Sequence, residues 1–301
     1  MKRLSCSLVI LIVACFSAFA HAEEAKKPVI VCSLPQLADF ARQVVGDDCE
    51  VKSVIGAGVD PHEYQPKPAD AELVKSADLC VENGLYMEGS GSSNWMTTLT
   101  KDAGKPLVTC TDGLKPLELT EEGKKISDPH AWHSPKAAAL YVNNILKGVS
   151  KLLPDKKYDF EARADLYLQQ LKALDGWIKK QVSLIPPNQR VLVTNHDALG
   201  YFGHEFGFKI AALLGWNAAE ESGMNPGSRA KVVDFIKKFH VKAIFVETQL
   251  NPKTMDQIGK EAGVQIGGTL YADSIGPAGS AAGTYLGSMR ENTLTIVDAL
   301  K

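Results

Sequence analysis

The chain has 301 residues, 45% of them hydrophobic and 23% charged. That balance belongs to a folded globule and excludes a disordered tract, a collagen-like fibre and a multi-span membrane protein. Its length suits one large domain or two of ordinary size. Thirty-three basic residues against 35 acidic ones leave a formal charge of -2, so nothing in the composition attracts a polyanion and nucleic acid is not an expected partner.

Residues 1–22 read as an address. Lys2 and Arg3 open them, an apolar run follows from Leu4, and Ala18, Ala20 and Ala22 offer two small-x-small cleavage sites. The run is short for a spanning helix, and no later stretch approaches the length of one. A cleaved signal peptide and a periplasmic or other extracytoplasmic product are expected. Ile12-Val13-Ala14-Cys15 has the form of a lipoprotein box and would place a lipid anchor on Cys15. The apolar stretch runs on past Cys15 with no polar tether, so plain cleavage is the preferred expectation. Cys32, Cys49, Cys80 and Cys110 remain in the mature chain without a CxxC spacing. In an oxidising compartment they could form one or two bridges, in any of three full pairings, or stay as buried thiols.

Short β-branched runs then alternate with helical patterns. Strands are expected at Val29–Leu34, Glu50–Ile55, Leu79–Glu82 and Leu107–Thr111, with helices at about Pro35–Val45 and Ala69–Ser76. Two helical segments follow, separated by Pro154. The second, about Lys157–Ile185, carries Phe160, Ala164, Leu168, Leu171, Leu174, Ile178, Val182 and Ile185 on one stripe. At ~1.5 Å per residue it makes a rod of roughly 40 Å, ended by Pro186-Pro187. Strands at Arg190–Thr194, Lys209–Leu214, Ala243–Glu247 and Val264–Leu270 alternate with helices at Ala198–Phe206, Ser228–Phe239, Lys253–Glu261 and Gly283–Leu300. Alternation of this kind specifies parallel sheets with right-handed crossovers. The expected fold is α/β, with an N-terminal lobe over 28–153, a rigid linking helix over 154–187 and a C-terminal lobe over 188–301.

The candidate site comes from the histidines. Asp-Pro-His occurs twice, at Asp60-Pro61-His62 and Asp128-Pro129-His130, and each proline stiffens the loop that carries its histidine. His196 directly follows the strand ending at Thr194, and Asp273 follows the strand ending at Leu270. All four positions lie beyond strand carboxyl ends, the edge where open α/β sheets bind ligands. If the two sheets face each other by those edges, His62, His130, His196 and Asp273 meet in the cleft. Three imidazoles and a carboxylate suit a transition metal, and four protein donors close a tetrahedron, which favours holding a metal over using it. HExxH and GxSxG are absent. His133 and Glu247 are subsidiary candidates, Glu247 as a supporting acid or alternative ligand. His204 and His240 are read as ordinary helix residues. The glycines of Gly276–Gly283 and Gly89–Gly91 lack the lysine of a phosphate cradle.

Val59-Asp60-Pro61-His62-Glu63-Tyr64-Gln65-Pro66 with Pro68-Ala69-Asp70 resembles the first metal-ligand block of the periplasmic zinc/manganese solute-binding proteins, the substrate-binding components of metal ABC transporters. Asp128-Pro129-His130-Ala131-Trp132 resembles the second block, and Asn195-His196-Asp197-Ala198-Leu199-Gly200-Tyr201-Phe202 the third. Leu270-Tyr271-Ala272-Asp273 with Gly283-Thr284-Tyr285 resembles the fourth, and Asp78–Tyr86 resembles the family's strand and turn. The resemblance implies that His62, His130, His196 and Asp273 are metal ligands. It implies no enzyme activity, and a monomer that passes its ion to a membrane permease. A third histidine in place of glutamate leans towards Zn2+, with Mn2+ or Fe2+ as the alternatives. Leu114–Ser127 departs from many zinc-specific relatives, since it contains no histidine. A rival reading of another class is a metallohydrolase on the same metal, with Glu247 as general base.

Overall fold

A computed structural model describes residues 26–121, 124–215 and 226–301. The leader, its cleavage sites and Cys15 lie outside the described residues. Among the described residues no helix is long and apolar enough to cross a membrane.

The N-terminal lobe is a parallel sheet in the order β2-β1-β3-β4, from β1 (Val29–Cys32), β2 (Glu50–Ser53), β3 (Leu79–Glu82) and β4 (Leu107–Thr109). Its crossovers are α1 (Pro35–Val45), α2 (Pro68–Ser76) and α3 (Trp95–Asp102). Both faces of β1 are covered, so its residues are apolar without alternation. A small antiparallel hairpin, β5 (Glu118–Glu121) and β6 (Lys124–Ser127), leads from β4 towards the second Asp-Pro-His. Two long helices follow, α4 (Pro135–Leu152) and α5 (Lys157–Val182).

The C-terminal lobe pairs β7 (Val191–Thr194) with β8 (Lys209–Ala212), and β9 (Ala243–Glu247) with β10 (Gln265–Leu270), both in parallel. β9 lies alongside β7, and the Glu247 amide donates to Asn195 Oδ1 at 3.1 Å across the join. The connecting helices are α6 (Gly200–Phe206), α7 (Pro226–Phe239) and α8 (Pro252–Ala262), and α9 (Tyr285–Leu300) closes the chain.

The two-lobe α/β architecture agrees with expectation, with differences that have physical causes. Four of the expected strands reach two residues past β1, β2, β4 and β8, where backbone bonds such as Val54 N–H to the Cys32 carbonyl at 2.8 Å and Leu213 N–H to the Thr194 carbonyl at 3.2 Å carry the pairing on beyond the regular strands. α3 was not expected because Thr97, Thr98 and Thr100 lower its helix propensity. Asn94 starts it by accepting from the Thr97 amide at 2.8 Å. The charged hairpin carries no hydrophobic run and was also not expected.

α5 is more than a link. Phe160, Ala164, Tyr167, Leu171, Leu174, Ile178 and Val182 are buried along it, and it packs on α1, α4 and α9. Tyr167 takes the buried place expected for Leu168, which packs only partly against the core. One apolar cluster runs from Ile30 and Phe40 through Phe160 and Leu171 to Phe245, Tyr285 and Ile296, so it joins elements of both lobes. Side chains also strap the lobes. The Tyr285 amide donates to Asp39 Oδ2 at 2.8 Å, the Tyr285 hydroxyl to the Trp132 carbonyl at 2.6 Å, and Trp132 Nε1 to the Ala272 carbonyl at 3.0 Å.

Cys32, Cys49, Cys80 and Cys110 are free, buried thiols, so the bridges allowed by the compartment are not formed here. Neighbouring strands send Cys32 and Cys80 to opposite faces of the sheet, into separate apolar clusters. Burial pushes the Cys80 thiol up to about 12.

Leu171→Ala opens a cavity in the shared cluster and should cost about 2–5 kcal/mol in urea unfolding. Gly176, by contrast, is exposed in mid-helix with open space where a Cβ would stand. Gly176→Ala should raise stability by about 0.5–1 kcal/mol in the same measurement.

Candidate metal site

Each Asp-Pro-His folds into the same local device. Asp60 Oδ1 accepts the His62 amide at 2.9 Å, and Asp128 Oδ1 accepts the His130 amide at 2.9 Å. These are turns closed by an aspartate on the backbone two residues ahead, with a proline between that has no N–H to compete. The repeated tripeptide is therefore a rigid mount for an imidazole. His62 follows β2 as expected. His130 follows the hairpin strand β6, not a strand of the parallel sheet, and so reaches the cleft by a different route from the one expected.

His196 lies just past β7, where the Thr194 hydroxyl donates to its carbonyl at 2.9 Å. Asp273 lies just past β10 in a segment held from the other lobe. Gln36 Nε2 donates to the Asp273 carbonyl at 3.3 Å, and the Gly58 amide to Ser274 Oγ at 2.8 Å.

These four residues converge. One donor atom from each of His62, His130, His196 and Asp273 lies within 4.8 Å of all the others. His62 Nε2 and His130 Nε2 are 3.2 Å apart, and His196 Nε2 is 3.0 Å from Asp273 Oδ2. All four side chains are at most 1% exposed. The His62 backbone is the most open of the set, and a cavity of about 280 Å³ lies beside it, lined by Pro61, Tyr64, Glu88 and Trp95 among others. His133 is buried behind Trp132 and is not part of the group. Burial drops its pKa to about 3, which keeps the imidazole neutral.

Two carboxylates back two of the imidazoles. Asp128 Oδ1 lies 2.8 Å from His130 Nδ1, and Glu247 Oε2 lies 2.5 Å from His196 Nδ1. The Asp128 hydrogen bond favours the proton on His130 Nδ1 and aims its Nε2 at the centre, and the Glu247 carboxylate sits against the Nδ1 side of His196. Glu247 Oε1 also accepts the His196 amide at 2.9 Å. Glu247 is thus engaged with His196 and is not free to activate water, which removes the base from the hydrolase reading. Sequence reasoning had marked Glu247 but missed Asp128 as a backing group, although it stands two residues before a candidate ligand. It also missed Gln249, whose Nε2 donates to Asp273 Oδ2 at 2.9 Å and to Glu247 Oε2 at 3.2 Å, a signal that exists only in three dimensions. Gly200 fits this layout, since a Cβ there would stand 2.5 Å from Asp128 Oδ2.

The electrostatics are those of a cation site. Burial opposes charge on His196, but Asp273 and Glu247 outweigh it and raise its pKa well above the imidazole range. Burial likewise opposes the Asp273 carboxylate, and the neighbouring His196 and His62 outweigh it and hold the group well below the carboxylate range. Burial drives His130 well below its ordinary value. The Asp273 and Glu247 carboxylates thus favour positive charge at the centre of the cluster. A divalent ion would take that place, and the donor set of three imidazole nitrogens and one carboxylate oxygen fits a tetrahedral ion.

Comparison with known proteins agrees with this geometry. The manganese-binding lipoprotein MntA of Halalkalibacterium halodurans is 34% identical over 100% of this chain and 99% of its own. The zinc-binding protein TroA of Treponema pallidum is 33% identical over 97% of this chain and 96% of its own. The solved structure of the T. pallidum periplasmic zinc-binding protein TroA superposes with a TM-score of 0.84 at 33% identity, covering 91% of this chain and 99% of that one. Residues 30–299 match the family described as the periplasmic zinc-uptake complex component A, ZnuA. The chain therefore belongs to this family of periplasmic metal-binding proteins, the substrate-binding components of metal ABC transporters.

Proposed function

We propose that this protein captures Zn2+ outside the cytoplasm and hands it to the membrane permease of an ABC transporter, with His62, His130, His196 and Asp273 as the ligands. The observation that carries the reading is the buried group of four donors from both lobes. The ion is cargo and undergoes no chemistry. We take the lobes as 28–153 and 188–301, bridged by 154–187, and the mature chain as an exported monomer released by cleavage of its leader.

Relatedness alone does not select the metal, because one similar relative is named for manganese and another for zinc. The donor set does favour one. Imidazole suits zinc, whereas manganese prefers carboxylate, carbonyl and water oxygens in octahedral geometry. Three nitrogens in a sealed site that admits little water support Zn2+ over Mn2+. Competitive titration of the metal-free protein with Zn2+ and Mn2+, followed by dialysis and metal analysis, tests this. Retention of zinc is expected, and preferential retention of manganese would overturn the assignment.

His62→Ala or His196→Ala should each weaken zinc binding on the order of 100-fold, about a quarter of the ~10–16 kcal/mol of a four-ligand zinc site. His133→Ala should change it little. Equal losses at all three, measured by chelator competition, would disprove the ligand set. Glu247→Gln removes the charge behind His196 and should cost about 10–100-fold in the same assay.

Zinc must displace the proton on His196, whose pKa lies above its reference of ~6.5. Affinity should therefore rise with pH. Calorimetry in buffers of different ionisation enthalpy should find about one proton released per ion near neutral pH. The zinc-induced rise in Tm should correspondingly shrink as pH falls, because stabilisation follows the ratio of ion to Kd.

A further inference from the structure

The hairpin that carries His130 into the site is bridged at its last rung by a side chain from the other lobe. β5 and β6 pair in an antiparallel register that sets Glu118 opposite Ser127, so Leu117 and Asp128 stand opposite one another at the next step. Opposed residues of a hydrogen-bonded pair exchange two backbone bonds. One of them is made: the Asp128 amide donates to the Leu117 carbonyl at 2.8 Å. The other is split by Tyr201. The Leu117 amide donates to the Tyr201 hydroxyl at 3.0 Å, and that hydroxyl donates to the Asp128 carbonyl at 3.2 Å. An amide N–H only donates and a carbonyl only accepts, so the direction of both bonds is fixed and the hydroxyl is a link in the rung.

The two ends of this link belong to two arms of the site. Tyr201 is buried in the first turn of α6, shortly after His196, and its ring is part of the apolar cluster that joins the lobes. Asp128 is the base of the other arm, since its carboxylate accepts the His130 amide and lies against His130 Nδ1. A direct bond would bring the Leu117 amide and the Asp128 carbonyl to about 2.9 Å. A hydroxyl between them holds that end of the hairpin open, and the opening falls where Asp128-Pro129-His130 leaves the strand.

We infer that Tyr201 is a positioning residue for His130: its hydroxyl, inserted into the last rung of the hairpin, sets the place of the Asp128-Pro129-His130 mount relative to the segment that carries His196. The inference rests on the metal-holding reading of the four residues. Tyr201 contacts no ion and acts through Asp128. Without the hydroxyl, the Leu117 amide and the Asp128 carbonyl can pair with each other, so the rung closes and draws the mount towards Leu117. Both backbone groups stay bonded in that event, so the fold survives while the site is distorted.

Tyr201→Phe removes the hydroxyl and keeps the ring. The metal-free Tm should stay within about 4 °C of wild type. Zn2+ affinity, from chelator competition, should fall about 10-fold, the lower end of what lost support of a ligand costs. In the zinc-loaded protein the ring resonances of His130 should move in 15N NMR spectra, while those of His62, which rides on a separate loop, hold. In a His130→Ala background the same substitution should change affinity by less than about 2-fold, because the residue it positions is gone and coupled neighbours do not add. No loss of affinity in a folded Tyr201→Phe protein, unmoved His130 resonances, or equal losses in both backgrounds overturns the inference while leaving the ligand set standing. If Tyr201→Phe folds poorly, the wild type carries the test. Its Tyr201 hydroxyl proton, bonded within a buried rung, should exchange with water slowly enough to be observed by proton NMR, and free exchange there overturns the inference. A wild-type protein that holds no Zn2+ overturns the metal-binding reading instead.

Discussion

Three imidazoles and a carboxylate sealed from water within 4.8 Å of one another form the constraint on which the rest of the structure depends. Burying such groups is costly unless charge is paired and donors are satisfied. Here the pairing is arranged in layers. Asp128 and Glu247 stand behind two of the imidazoles, and Asp273 stands in front of all three. The carboxylates around His196 favour positive charge at this point of the cluster. On the proposed function, a cation with two charges would balance the cluster by engaging all four donors at once.

Holding donors from two lobes at that separation requires the lobes to be fixed to one another. The continuous apolar cluster through α5, α1 and α9 supplies the frame. The straps from Trp132, Gln36, Asp39 and Gly58 then tie the Asp273 segment and the start of α9 to the first lobe. Closure between lobes is resisted by the shared core, and the backbone at His62 is the most exposed part of the site.

Family membership settles the class of cargo and leaves the ion to local chemistry. Similar relatives at nearly equal identity are named for manganese and for zinc. A difference between two ions of the same charge is decided by donor type and donor number. In this chain three of the four gathered donors are imidazole nitrogens, from His62, His130 and His196.

Element order, the parallel α/β plan, the buried stripe of α5 and all four members of the cluster were legible in the sequence. They depend on periodicity, on proline-stiffened Asp-Pro-His turns and on position after strands, which are local properties of the chain. α3 and the β5–β6 hairpin were not legible, since a threonine-rich segment and a charged one carry little helix or strand periodicity. Only the tertiary structure decided that His130 enters from the hairpin and that His133 stays apart. It likewise decided that Glu247 supports His196 and that Gln249 joins two carboxylates. Those outcomes depend on contacts between residues far apart in the chain, such as Gln249 with Asp273, and no local pattern encodes which distant partner a side chain will meet.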